Sequence, residues 1–160
     1  SLEPRAASPQ ARLRVVRELT AAGVPVGVMM APVIPALTDH EIERLLAAAA
    51  EAGARRAAFL MLRLPFEVAS LFASWLREHY PDRADRVLNL LRDMRGGNLN
   101  DPRFGHRMRG QGAYAAIISA RFDSACRRLG LNTDAAPALD TRQFIRCPGM
   151  PQQAGLFDQT

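Results

Sequence analysis

The stretch that decides the fold is "GVMMAPVIPALTDHEI", residues 27–42. It continues an apolar run, Val26 to Ala31, whose length and lack of alternation predict a strand covered on both faces. The run stops at Pro32, and a second proline follows at position 35. The quartet T-D-H-E at 38–41 then predicts a capping box and the start of a helix. Strand, stiff loop and helix are therefore expected in direct succession.

The segments around this stretch repeat its pattern. Ser8 followed by proline predicts the start of a preceding helix, which Gly23 ends. The helix after position 41 ends at Gly53, and residues 57–62 form the next apolar run. The two glycines lie 30 residues apart, about the length of one βα unit. Alternating helices and strands predict a parallel sheet, and the fold class is α/β.

Two strands are too few for a stable parallel sheet of this kind, so the sequence predicts the back half of a barrel or doubly wound domain. The opening residues 2–4 resemble the end of a strand whose body precedes the chain. The expected organisation is an α/β part over 1–65, a helical part over 66–131 that contains a polar loop at 95–112, and an irregular tail over 132–160.

Composition sets the class of protein. The 160 residues are 48% hydrophobic, with no apolar run of the roughly 18–20 residues that a membrane span needs. With no signal peptide at its start, the chain is expected to be cytoplasmic. All 21 basic residues are Arg, and the net charge of +5 fits either an anionic partner or a biased genomic base composition. Cys126 and Cys147 lack the spacing of a metal site, so no metal ligand is predicted here.

The loops that leave the carboxyl ends of parallel strands are the first place to look for a site. Three segments qualify: residues 3–8, 32–38 and 63–66. The second holds both prolines, and it is either an apolar wall beside a ligand or a rigid turn that aims the next helix. Arg63 follows a buried strand and is expected either to bind a ligand or to pair with Glu67.

The polar loop at 95–112 is the second candidate. Its length, its five glycines and its arginines suit contact with phosphate or nucleic acid, and an ordinary solvated loop is the alternative. The residues predicted to face a substrate or nucleic acid are Arg95, Arg103, Phe104, Arg107 and Arg109.

The third candidate is the tail, "QQAGLFD". Gln153, Leu156 and Phe157 have the spacing of Q-x-x-L-F, and this resembles the short peptide that docks bacterial replication and repair proteins onto the sliding clamp. Ala154 stands where that peptide usually has leucine. A tail folded back onto its own domain is the alternative.

Three segments together resemble a known family. They are "EPRAASPQARLRVVRELTAAGVPVGVMMAPVIPALTDHEI" (3–42), "AGARRAAFLMLRLP" (52–65) and "MRGGNLNDPRFGHRMRGQGAYA" (94–115). They resemble the C-terminal half of radical S-adenosylmethionine (SAM) proteins, in a branch akin to spore photoproduct lyase. The resemblance implies the C-terminal part of a partial (β/α)6 barrel, followed by an α-helical accessory segment.

The resemblance also implies a cofactor set. Such enzymes hold a [4Fe–4S] cluster with three cysteines in C-x3-C-x2-C, take electrons from an external donor, and cleave SAM to a 5′-deoxyadenosyl radical. That motif is absent here, so the chain is expected to be catalytically incomplete alone and the whole protein to be a lyase-like enzyme. By position, the residues implied to contact SAM, or substrate in the case of the last, are Glu3, Arg5, Ser8, Ala31, Pro32, Val33 and Arg63.

Spore photoproduct lyase acts on DNA, and the 95–112 loop and the tail are compatible with a DNA substrate. A rival hypothesis from another class is a non-catalytic module that binds nucleic acid or the sliding clamp through these two segments. A phosphate-binding (β/α)8 barrel is a further alternative. The helices after Leu64 and the lack of a glycine-rich loop after either strand argue against it.

Overall fold

The computed structural model describes residues 5–133 and Arg142. Over these residues the chain is a mixed α/β protein with five α-helices and a two-stranded parallel sheet that is not closed into a barrel. Among the described helices, none has the length and apolar character to cross a bilayer. The elements are α1 Pro9–Ala21, β1 Gly27–Val33, α2 Ile42–Glu51, β2 Arg56–Met61, α3 Val68–His79, α4 Pro81–Asp93 and α5 Gly112–Arg128.

The starts of α1 and α2 differ in how well they were predicted. Ser8 caps α1 as expected, because its hydroxyl accepts a hydrogen bond from the Ala11 amide at 3.2 Å. The capping box before α2 is wrong. The Thr38 hydroxyl instead accepts from the Ile34 amide at 2.9 Å, and the chain enters α2 through a 3₁₀ turn at Asp39–Glu41. The hydroxyl therefore closes the loop after β1 rather than the helix.

The two strands pair in parallel register from Gly27 opposite Arg56 to Met30 opposite Phe59. One extra residue then enters β1 at the cis Ala31–Pro32 bond before Val33 pairs with Met61. Proline has no N–H to give to a ladder, which fits its place in a bulge.

The faces of β1 are unequal. Val28 and Met30 pack under the helices, whereas Met29 is 63% exposed. The prediction of a strand covered on both faces is therefore wrong for the described residues. They bring helices to one face of β1 and leave the other open.

Three apolar clusters hold the elements together. The first joins the sheet to α2 and α5, the second joins α3 to α4, and the third joins α1 to α2. Val33 belongs to the first cluster and its neighbour Ile34 to the second, and both are at most 3% exposed. Pro35 is fully buried as well. The P-V-I-P segment thus ties two cores together as a rigid connection, and only Pro32 remains exposed.

Gly53 shows why α1 and α2 can pack closely at their C-terminal ends. Its φ is +98°, and a Cβ atom there would lie 2.7 Å from the Thr20 methyl carbon. The Thr20 hydroxyl also donates to the Gly53 carbonyl at 3.4 Å. Any side chain at this position would strain the backbone and push the two helices apart.

Candidate functional site

The outer edge of β2 is closed by side-chain and main-chain hydrogen bonds. The Asn132 side chain accepts from the Ala57 amide and donates to the Ala57 carbonyl, both at 2.9 Å, as a neighbouring strand would. At the other end, the Met61 amide donates to the Met108 carbonyl at 2.9 Å. No further strand can pair with β2 while these groups are in place.

The outer edge of β1 is open. No described residue pairs with it, since the sheet of the described chain has only the order β1-β2. The Val26 carbonyl accepts from Arg55, so by the alternation of a strand the N–H and C=O of Met29 point away from β2. A cleft of about 420 Å³ runs along this edge, walled by Pro9 and Leu13 of α1 and by Leu45 of α2. We call it the β1 cleft.

The residues before α1 reach one end of the β1 cleft. Ala7 lines it, Arg5 is exposed, and the Ser8 hydroxyl is engaged as the cap of α1. Glu3, the remaining predicted cofactor residue of this segment, lies outside the described residues. The structure therefore places the segment beside the open edge, and its predicted contacts with SAM stay a prediction.

The loop after β1 reaches the same cleft. Ala31 and Pro32 line it and are exposed, so both offer apolar surface to a ligand. Val33 also borders the cleft, but its side chain is 2% exposed and packs into the core. Any ligand contact at position 33 is limited to the backbone.

Arg63 stands two residues after β2 at the same end of the sheet. It is half-buried, and its Nε atom is buried without a hydrogen-bond partner. Within the described chain Arg63 makes no ion pair with Glu67, so the structural alternative raised from the sequence is wrong. The end of the sheet after β2 therefore carries an arginine whose Nε–H group has no hydrogen-bond partner.

Arg95 fastens the 95–112 segment to the end of β2. Its guanidinium donates to the carbonyls of His106, Arg107 and Leu62 at 2.8–3.0 Å, and the residue is 2% exposed. Burial lowers the pKa of Arg95; the charge of Asp101 opposes this effect, and the charge of Arg63 adds to it. The prediction that Arg95 faces a substrate or nucleic acid is not supported, because its side chain is consumed inside the protein.

Two further arginines of the segment contact other residues of the chain. Arg103 forms a bidentate pair with buried Asp101, and its side-chain and backbone hydrogen bonds lower the pKa of Asp101 to about 2. The Arg109 guanidinium lies over the Phe59 ring at 4.3 Å.

Phe104 is 88% exposed, and Arg107 stacks over it at 5.5 Å. Arg103 and Arg109 are also exposed, although Arg103 is paired with Asp101 and Arg109 lies over Phe59. Of the five predicted contact residues, four therefore reach the surface of the segment and Arg95 is buried.

A partly buried polar network was not predicted from the sequence. The Tyr114 hydroxyl donates to buried Asp39, while Arg121 donates to both carboxylate oxygens of Glu43 and to the Asp39 carbonyl. The hydrogen bond from Arg121 lowers the pKa of Glu43, and burial together with the Asp39 bond raises that of Tyr114. These contacts hold α5 on the start of α2. Partners 75 or more residues apart leave no local signal in the sequence.

Two further predictions concern cysteines and the tail. Cys126 is buried in the first cluster, and burial raises the pKa of its thiol. Cys147 and the clamp-like residues Gln153, Leu156 and Phe157 lie outside the described residues. Among those that are described, no group of three or more side chains has the makings of a metal site.

Comparisons with known proteins give a partial likeness. The chain is 37% identical over 87 residues to "Uncharacterized protein Rv2578c" of Mycobacterium tuberculosis and equally to "Uncharacterized protein Mb2609c" of Mycobacterium bovis. The match covers 53% of this chain and 26% of each relative, so the chain spans about a quarter of the length of the curated relatives it matches. No family model and no solved structure matches it.

Proposed function

We propose that this chain is the C-terminal part of a radical SAM enzyme, with the last two strands of a partial (β/α)6 barrel followed by an accessory helical segment. The observation that carries the proposal is a difference between the two outer edges of the sheet. The outer edge of β2 is closed by hydrogen bonds, whereas the outer edge of β1 is open in the described chain. The last strand of a partial barrel needs its outer edge covered, whereas the strand before it needs a partner strand on its other edge. The much longer mycobacterial relatives support a longer whole protein.

The residues at the carboxyl ends of the two strands suit SAM but not the iron–sulfur cluster. Ala31 and Pro32 offer an apolar surface for a nucleobase, and Arg63 offers an unsatisfied donor for a carboxylate. The cluster does not fit this chain's described residues, because their one cysteine, Cys126, is buried in the core. Its ligands would come from a preceding part of the protein, and an external donor would supply the electron. When bound, SAM and the cluster supply radical hydrogen abstraction.

The test is the whole protein, expressed from the gene that encodes this chain and purified without oxygen. We expect a [4Fe–4S] absorption band, and 5′-deoxyadenosine after addition of SAM and dithionite. Arg63→Gln should weaken SAM binding at least about fivefold, roughly 1 kcal/mol, while Arg55→Gln, an exposed arginine before β2, should not. Absence of both the cluster and the cleavage product would refute the proposal.

A second candidate function is nucleic-acid binding by the 95–112 segment, either as the substrate contact of the enzyme or as the whole activity. Exposed Phe104 with Arg107 above it favours this candidate, because an unpaired base stacks on such a surface. Anisotropy of a labelled single strand at low salt would test it. Phe104→Ala and Arg107→Ala should each weaken binding, whereas Arg103→Ala should matter less because Arg103 is held by Asp101. No binding at low salt would exclude it.

A further inference from the structure

A second cleft, of about 470 Å³, lies between the 38–41 turn and the α3–α4 pair. Its apolar floor is made by buried Ile34 and Leu37. Thr38 and Glu41 border both this cleft and the β1 cleft, so the 38–41 turn separates two concave sites. We call the second one the aromatic cleft. Its volume lies within the range of small-molecule sites.

One wall of the aromatic cleft is built from stacked rings. Trp75 stacks on His79 with 5.0 Å between ring centroids, and Tyr80 tilts against Trp75 at 5.6 Å. The Nδ1 atom of His79 lies 3.0 Å from the Trp75 carbonyl, which leaves Nε2 free for a ligand. Both Tyr80 and His79 are exposed, so a flat apolar group can pack against this wall.

The polar rim of the cleft carries one guanidinium and two imidazole rings. Arg83, His40 and His79 line it, and Arg83 makes no ion pair with any described residue. The one acidic residue of the lining, Glu41, is already bonded to Arg44 at 2.6 Å. Tyr80 precedes α4 and Arg83 lies in its first turn, which also carries Asp82 outside the cleft lining.

We propose that the aromatic cleft binds a small molecule that joins an aromatic ring to an oxyanion, a carboxylate or a phosphate. The ring would pack against the wall of Tyr80 and His79, and Arg83 would hold the anionic group. The apolar floor accepts the ring face that water would otherwise cover. This inference is independent of the proposed radical chemistry, because it concerns side chains that the chain carries by itself.

Trp75 gives a direct readout, because it is the only tryptophan of the chain. Its single indole N–H signal in a ¹⁵N-correlation spectrum should shift when the 160-residue chain is titrated with benzoate or phenyl phosphate. We expect saturation with a Kd below about 1 mM for at least one of these, and the tighter of the two identifies the anion. Benzyl alcohol, acetate and inorganic phosphate should each bind at least about tenfold more weakly, since each lacks the ring or the charge.

Two variants complete the test. Arg83→Gln should weaken the aromatic anion at least about tenfold, whereas Arg77→Gln removes an exposed arginine of α3 outside the cleft lining and should leave the Kd unchanged. An unaltered thermal transition of Arg83→Gln would show that the fold is kept. The proposal is overturned if neither probe saturates below 1 mM, if benzyl alcohol binds as well as benzoate, or if both arginine variants behave alike.

Discussion

The two edges of the sheet teach opposite lessons about the same domain. On β2, the Asn132 side chain and the Met108 carbonyl occupy groups that another strand would need. On β1, no described residue does so, and Met29 stands 63% exposed over a cleft. An open apolar edge is a hazard that proteins usually cover. The contrast supports the proposal that β2 is a terminal strand and that β1 pairs with a further strand in a longer protein.

Among the residues at the closed edge, substitution of Arg95 should reduce stability most, because Arg95 holds the 95–112 segment on the end of β2. Arg95→Met leaves three carbonyls without their charged donor, and we expect a loss of about 3 kcal/mol in the free energy of unfolding. Urea denaturation followed by circular dichroism measures it. Arg92→Met, which removes one exposed bond to Asn89, should cost less than about 0.5 kcal/mol. Equal losses would show that Arg95 is not the clamp.

The helices beneath the open edge depend on Gly53. Gly53→Ala adds a Cβ atom 2.7 Å from the Thr20 methyl at a φ of +98°. Gly23→Ala is the matched control, because Gly23 also has positive φ but has nothing within 4 Å of the added atom. We expect about 1 kcal/mol of lost stability for Gly23→Ala and about 1–2 kcal/mol more for Gly53→Ala. Identical denaturation midpoints would contradict the close approach of α1 and α2.

Asn132 offers a milder way to open the closed edge. Asn132→Gly keeps the positive φ of 60° but removes both bonds to Ala57, and should cost about 1 kcal/mol at this exposed site. Hydrogen exchange at the Ala57 amide should become faster. Asn132→Asp can still accept from that amide and should protect it partly. An Ala57 amide that exchanges at the same rate in all three proteins would show that Asn132 does not close the outer edge of β2.

The smallest effect concerns pH. The pKa of Asp101 falls from 3.8 to about 2 because of its bonds to Arg103. Since the folded pKa lies below the unfolded one, this stabilisation is fully present above about pH 4 and is lost as the pH falls toward 2. Asp101→Asn should flatten the decline of stability in that window. A decline of the same steepness in both proteins would show that the pair does not support the 95–112 segment.

The fold followed from the sequence where its signals are local. Ser8 and the proline after it predicted the start of α1, Gly23 and Gly53 predicted the ends of α1 and α2, and the alternation of helices and strands predicted the parallel pairing. The site followed less well. Nothing near Arg95 in the sequence tells that it bonds Leu62, 33 residues earlier, and the Tyr114–Asp39 bond spans 75 residues. The capping box predicted at Thr38 was wrong because its hydroxyl accepts a hydrogen bond from the Ile34 amide instead.

The most direct test of the proposal is hydrogen exchange at the Met29 amide, in this chain and in the longer protein that the proposal requires. In the isolated chain the amide should exchange nearly freely, whereas that of Met30, which points toward β2, should be protected. In the whole protein a preceding strand should slow the Met29 amide at least about a hundredfold. An amide that stays equally fast in both would contradict the claim that β1 continues into a larger sheet.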